Sequence, residues 1–85
     1  MITVYSLPRC VQCVATKRHL NNLGLAYTEI DLLDVPERAE EFKALGYASA
    51  PIVFAADPSV SVDAADEDGL IWSGFSPDRL NALAA

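Results

Sequence analysis

The chain carries two cysteines in 85 residues, and they stand three positions apart as Cys10-Val11-Gln12-Cys13. They follow a β-branched and aromatic run, Ile2-Thr3-Val4-Tyr5, and open a segment whose apolar spacing is helical. Two thiols so placed close into a small ring without disturbing the rest of a fold. The helix start adds chemistry, because its unpaired N–H groups and positive dipole end stabilise negative charge. A thiolate is such a charge, and C-x-x-C cysteines at helix N-termini titrate at roughly 3.5–7.5 against about 8.5 for a free thiol. Cys10, nearer the entrance and beside Arg9, is the expected nucleophile. Cys13, one turn in, is the expected shielded partner that resolves a mixed disulfide.

Three other readings compete with a redox pair. A structural disulfide stabilises by constraining the unfolded chain, and a loop this short constrains it little. A zinc site draws on a second Cys or His pair, whereas here the further candidate is His19 on the same predicted helix, so no metal is expected. Two inert thiols fit poorly with the β-α-β context of the motif.

Net charge is −6, from 6 basic and 12 acidic residues, which disfavours a nucleic-acid partner. Arg9, Lys17 and Arg18 gather around the cysteine helix, while Asp57, Asp63, Asp66, Glu67 and Asp68 lie in a stretch without Lys or Arg. The thiol end is thus less negative than the whole, which favours a thiolate and an acidic partner. The composition, 52% hydrophobic and 21% charged, is that of a globular chain. Its longest apolar run, Ala50 to Ala56, suits a buried strand and falls well short of the ~18 residues of a membrane span. The N-terminus has no basic region followed by an apolar one, so no signal peptide is expected. A cytoplasmic monomer of one domain follows, and there a C-x-x-C is more often catalytic than structural.

Along the chain, Ile2 to Ser6 reads as a strand closed by Leu7-Pro8, and Cys10 to Leu23 as a helix stopped by Gly24. Cys13, Leu20 and Leu23 face inward, with Lys17, Arg18, Asn21 and Asn22 on the wet side. Ala26 to Leu32 is a second strand. Asp34 is the expected N-cap of a second helix, with Pro36 in its first turn, Glu37 closing a capping box, and Gly46 as its stop. Pro51 to Ala55 and Leu70 to Ser73 form a hairpin of strands three and four. Ser76-Pro77-Asp78 caps a last helix ending near Leu83. The order is β-α-β-α-β-β-α: an α/β chain with a four-stranded mixed sheet flanked by three helices, its first two strands parallel and its last two antiparallel. Residues 57–69 read as an acidic hairpin insertion, mobile and dispensable, whose removal costs about 1 kcal/mol or less.

This order, the C-x-x-C after strand one and the proline opening strand three resemble the thioredoxin fold in its compact glutaredoxin form. Cys-Val-Gln-Cys followed by Ala15-Thr16-Lys17-Arg18, then Trp72-Ser73-Gly74-Phe75 and Pro77-Asp78, resembles the NrdH-redoxins. That resemblance covers nearly the whole chain outside the acidic insertion. It implies a glutaredoxin-shaped dithiol carrier that binds no cofactor itself. NADPH and FAD would act only through a partner, thioredoxin reductase, and the electrons would pass to the large subunit of a class Ib ribonucleotide reductase. The chain departs from the family in three places: Leu7 stands where a lysine is common, Ser76 where a basic residue is common, and the hairpin insertion where the family is short. Leu7 and the acidic C-terminal half argue against the nearest alternative, a glutathione-dependent glutaredoxin, whose ligand needs a cationic cradle. A non-catalytic peptide- or metal-binding adaptor is the alternative from a different class.

The resemblance also assigns residues. It implies a cis Ala50–Pro51 bond, which sequence alone would leave trans, with Ala50 offering backbone groups to an extended peptide. It makes Arg9, Val11, Gln12, Ala50, Pro51, Trp72, Ser73, Gly74, Phe75 and Asp78 the partner-binding set, with Trp72 and Phe75 partly exposed and Ser73 and Asp78 holding the turn by hydrogen bonds. Sequence alone would more readily make Trp72 a core aromatic. His19 reads as a solvated helix residue, and Thr16 and Lys17 read equally as helix surface or as direct participants.

Overall fold

β1 (Thr3–Ser6) is buried along its whole length because it runs down the middle of a sheet with helices on both faces. A computed structural model describes residues 1–85. The strand order is β2-β1-β3-β4. β2 (Thr28–Asp31) lies parallel to β1 with Tyr5 opposite Ile30, and β3 (Ile52–Phe54) lies antiparallel on its other side with Val4 opposite Val53. β4 (Ile71–Ser73) closes the sheet antiparallel to β3, with Val53 opposite Trp72. The alternation of side chains along a strand divides the core in two. Tyr5, Ile52, Phe54 and Ile71 face one side, under α2 (Pro36–Ala44) and α3 (Val62–Glu67). Ile2, Val4, Val53 and Trp72 face the other, with Leu20 of α1 (Val11–Asn22) and Leu80 of α4 (Pro77–Leu83).

The thioredoxin-like architecture stands, with a correction: four helices flank the sheet, not three. The added one is α3, inside the stretch read as a mobile insertion. Ser61 caps it by accepting a hydrogen bond from the Ala64 N–H at 3.2 Å, and Val62 and Ala65 are 0% exposed. Its far end is a Schellman turn: Leu70 N–H donates to Ala65 C=O at 2.9 Å and Gly69 N–H to Asp66 C=O at 3.1 Å. Gly69 has φ +70, the left-handed geometry such a turn requires. Composition misled here, because a short amphipathic helix buries small residues that look unpromising one at a time.

The expected capping box at Asp34 does not form. A 3-10 turn over Leu32–Asp34 intervenes, capped by Asp31, whose carboxylate accepts from the Leu33 N–H at 2.8 Å. α2 then starts at Pro36 with no side-chain cap. Thr16 is a third correction. It is 0% exposed, and its hydroxyl donates to the Gln12 C=O at 2.8 Å. The inner stripe of α1 is therefore Cys13, Thr16 and Leu20.

Candidate functional site

Pro8 and Arg9 end β1, and Arg9 adopts φ +60, the left-handed region that an arginine seldom occupies. Cys10 follows in extended geometry as the N-cap of α1. An N-cap is ordinarily an oxygen-bearing side chain that accepts from the first helical turn. Here Cys10 Sγ takes that place, accepting from the Cys13 N–H at 3.0 Å. The two cysteines are joined, with Cα atoms 5.1 Å apart. Cys13 is 2% exposed, whereas Cys10 is half-buried and reachable. A negative sulfur at Cys10 would keep that donor and sit at the positive end of the helix dipole.

Two loops are bound to this turn by specific contacts. The Ala50–Pro51 bond is cis, and the Pro51 C=O accepts from the Gly74 N–H at 2.8 Å. The next N–H, of Phe75, donates to Gln12 Oε1 at 2.9 Å. Gly74 has φ +84, and a β-carbon there would come within 3.1 Å of Gln12 Oε1, so a side chain would press on the contact that joins the turn to α1. Gln12 thus does the fastening expected of Ser73 and Asp78. The Ala50 N–H and C=O have no partner within the chain.

Trp72 differs from its expected half-exposure. It is 8% exposed, lies on the α1/α4 side of the sheet, and is covered by the Arg79 guanidinium 5.3 Å above its ring. Its indole N–H is buried without a partner. The reason is the two-residue period of β4, which turns Trp72 inward and leaves Phe75, beyond the turn, as the aromatic at the surface. His19 is not merely solvated: its Nε2 lies 2.8 Å from Asn81 Oδ1 and its ring meets Phe75 edge to face. Val11 and Val14 stand on the outer face of α1, at 83% and 49% exposure. Sequence reading missed Val14, whose signal was an apolar residue three positions after Val11, off the inner stripe.

Cys10 opens on a cleft of about 650 Å³, walled by Arg9, Val11, Val14 and Leu7 and floored by Ser6 and Cys13. Its charges are two cations, Arg9 and Lys17, against three carboxylates, Glu29, Asp31 and Asp34. Lys17 is not a free cation, because Nζ pairs with Glu29 Oε2 at 2.8 Å. Ser6 donates to the same oxygen at 2.9 Å. The Lys17 bond first, then the Ser6 bond, hold the Glu29 carboxyl below its ordinary range. A carboxylate lowered by folding stabilises the fold above the unfolded-chain pKa and loses that contribution as pH falls through its native value. The Tm advantage over Glu29→Gln is therefore expected to shrink between neutral pH and pH values below about 4. Because the pair is largely exposed, the effect at neutral pH should be about 1 kcal/mol or less. Thermal melts of both proteins across pH check this, and an advantage that grows on acidification would contradict it.

No three His, Cys, Asp or Glu side chains come together in a metal-binding group, and no helix is long and apolar enough to cross a membrane. The sequence profile of the glutaredoxin family matches residues 2–60. The glutaredoxin-like protein NrdH of Escherichia coli strain K12 is 42% identical over 82 residues, covering 96% of this chain and 86% of that one. NrdH of Lactococcus lactis subsp. cremoris is 32% identical over 84 residues, covering 99% and 100%. Among solved structures, the E. coli NrdH-redoxin, a glutaredoxin-like protein with a thioredoxin-like activity profile, superposes with TM-score 0.77 at 41% identity, covering 96% of this chain and 92% of its own. The likeness runs past the end of the family profile into α4, across the turn that Gln12 fastens. The chain belongs to the glutaredoxin family, in its NrdH-redoxin branch, and is a thiol–disulfide oxidoreductase.

Proposed function

We propose that this chain carries electron pairs from NADPH, through the flavoprotein thioredoxin reductase, to the disulfide of a target protein in the cytoplasm, and that the target is the large subunit of a class Ib ribonucleotide reductase. The observation that carries the choice of reductant is the charge of the cleft. Glutathione brings two carboxylates, which a binding site matches with cations. Here Lys17 and Glu29 neutralise each other, Arg9 is left as the one unpaired cation in a cleft that also holds Asp31 and Asp34, and Leu7 adds apolar wall in place of positive charge. A protein reductase makes no such demand.

The reaction has three steps. The Cys10 thiolate attacks one sulfur of the target disulfide, breaking that bond, forming a mixed disulfide and releasing the other target sulfur as a thiolate. Cys13, as thiolate, attacks Cys10 Sγ and expels the second target sulfur, so the target gains two electrons and the Cys10–Cys13 ring closes. The flavoenzyme then returns two electrons to the ring. Attack is fastest for a thiol whose pKa lies near the ambient pH, which suits a cysteine at a helix N-terminus. Ala50 supplies unpaired backbone groups for an extended target segment, Val11 and Val14 supply apolar wall beside Cys10, and Phe75 adds an exposed aromatic at the turn that Gln12 fastens. Arg9, Gln12, Pro51, Trp72, Ser73, Gly74 and Asp78 complete the proposed set. Of these, Gln12, Pro51, Trp72 and Gly74 act by shaping the site. No metal takes part in the scheme.

The test is reduction of insulin disulfides by catalytic amounts of the chain with NADPH, driven by thioredoxin reductase in one arm and by glutathione with its reductase in the other. Rapid NADPH oxidation is expected in the first arm and little in the second. Equal turnover in both would overturn the choice of reductant.

A further inference from the structure

We infer that an apolar groove beside the redox cleft is a subsite for one aliphatic side chain of the target, carried two positions from the cysteine under attack. This rests on the disulfide-exchange reading above and names the kind of segment that reading would favour. The groove lies between the 3-10 turn after β2, α2 and the loop that leads to Pro51. Leu32 and Ile52 form its floor, Leu7 and Leu33 are among its walls, and Lys43 is its one charged residue, held 3.5 Å from Glu40.

Size, lining and position together select the occupant. At about 190 Å³ the groove is below the roughly 300–1,000 Å³ of small-molecule sites, and it suits a single side chain. Its side-chain polar groups are engaged elsewhere, the Tyr47 hydroxyl with Asp66 and the Lys43 ammonium near Glu40, so the side chains facing it are apolar. A lone exposed leucine means little, but Leu33, at 69% exposure, faces a groove shared with Leu7, at 37%. Leu7 also walls the cleft in front of Cys10, so groove and cleft adjoin at that residue. Ala50 lines the groove too, and its unpaired N–H and C=O give an extended chain a place to add. In such a chain the side chains alternate, so the residue two positions from the cysteine points the same way as the cysteine itself. When that cysteine meets Cys10, its neighbour at two positions is carried toward Leu7 and Leu33.

The experiment is a single turnover that needs no added reductant. Reduced protein is mixed with cyclic peptides closed by one disulfide, which carry either leucine or asparagine two positions before, or two positions after, the first cysteine. Acid quench and mass spectrometry give the second-order rate constant for each peptide. Hydroxyethyl disulfide, which has no neighbouring side chain, reports exchange alone. The wild-type chain should reduce the leucine peptide faster by roughly 10-fold or more on one of the two sides, the usual worth of an aliphatic group in a fitted pocket. In Leu33→Glu and Leu7→Lys that ratio should fall toward unity. Because the ratio compares two peptides on one protein, a general loss of activity cancels. A ratio near unity in the wild type, or one that survives both substitutions, would overturn the subsite while hydroxyethyl disulfide is still reduced. Failure to reduce hydroxyethyl disulfide would overturn the exchange reading and the subsite with it.

Discussion

Deletion of residues 57–69 is expected to unfold the protein. Val62 and Ala65 are 0% exposed and belong to the cluster built from Tyr5, Phe42, Phe54 and Ile71, with Val60 packed at its edge. Polar anchors hold the same segment from two sides. The Tyr47 hydroxyl donates to Asp66 Oδ1 at 2.5 Å, and Arg38 donates to Val60 C=O at 3.3 Å and Tyr5 Oη at 3.1 Å while lying 5.4 Å over the Phe54 ring. The link to Asp66 favours the neutral phenol and raises the Tyr47 pKa, so the charge-assisted bond belongs to the folded chain. Burying a valine-sized side chain is worth roughly 1.5–3 kcal/mol, and a hydrogen bond to a charged group roughly 1.5–3. Small domains have only about 5–15 kcal/mol in total. Removing α3 takes several of these contributions together and wets the face of two central strands. Val62→Ala isolates the packing part and should cost about 2 kcal/mol, a fall of roughly 8–16 °C in Tm for a domain of this size. Val62→Asp places an unpaired charge at the same spot and should prevent folding. Calorimetry of Val62→Ala and circular dichroism of the deletion check both. A deletion that melts like the wild type would show that α3 rests loosely on the sheet.

The contrast between α1 and α3 shows what a sequence of this length makes legible. α1 announces itself through the cysteine spacing, a long inner stripe and Gly24, and the strands around it are apolar and β-branched. The sheet topology follows from element order, since a right-handed crossover leaves few arrangements. α3 spans six residues with two small buried side chains, and its helix signal is a serine cap and a glycine stop 8 positions apart rather than an apolar run. The cap at Asp34 failed for a related reason: Asp31, three residues earlier, took the turn first. At the site, the cysteines were legible because their chemistry is local, whereas the cis bond before Pro51 followed from the family resemblance, since sequence alone favours trans. The fastening of Phe75 by Gln12 joins residues 63 positions apart, and the Lys17–Glu29 pair joins α1 to an edge strand. Neither leaves a mark in sequence. The burial of Trp72 was the more natural reading of its composition, and strand periodicity decided it.

The two cysteine variants should separate completely. Cys13→Ser keeps the attacking sulfur but removes the one that resolves, so it should hold the target as a mixed disulfide and stop after one encounter. Cys10→Ser leaves a thiol at 2% exposure behind an oxygen that does not attack disulfides, and it should be inert. Each variant should lose turnover to the level of the uncatalysed reaction. Only Cys13→Ser should yield, on non-reducing gels, a covalent adduct that dithiothreitol dissolves. An adduct from Cys10→Ser instead would reverse the assignment.

The order of the two thiols is tested most directly on the unaltered protein. The dithiol form is treated briefly with iodoacetamide at pH 7, and the modified sulfur is located by peptide mass spectrometry as a function of time. Cys10, half-buried at the head of α1 and open to the cleft, is expected to be alkylated well before Cys13, which the helix and sheet enclose. Labelling of Cys13 first, or of both at equal rates, would contradict the assignment of Cys10 as the sulfur that meets the target.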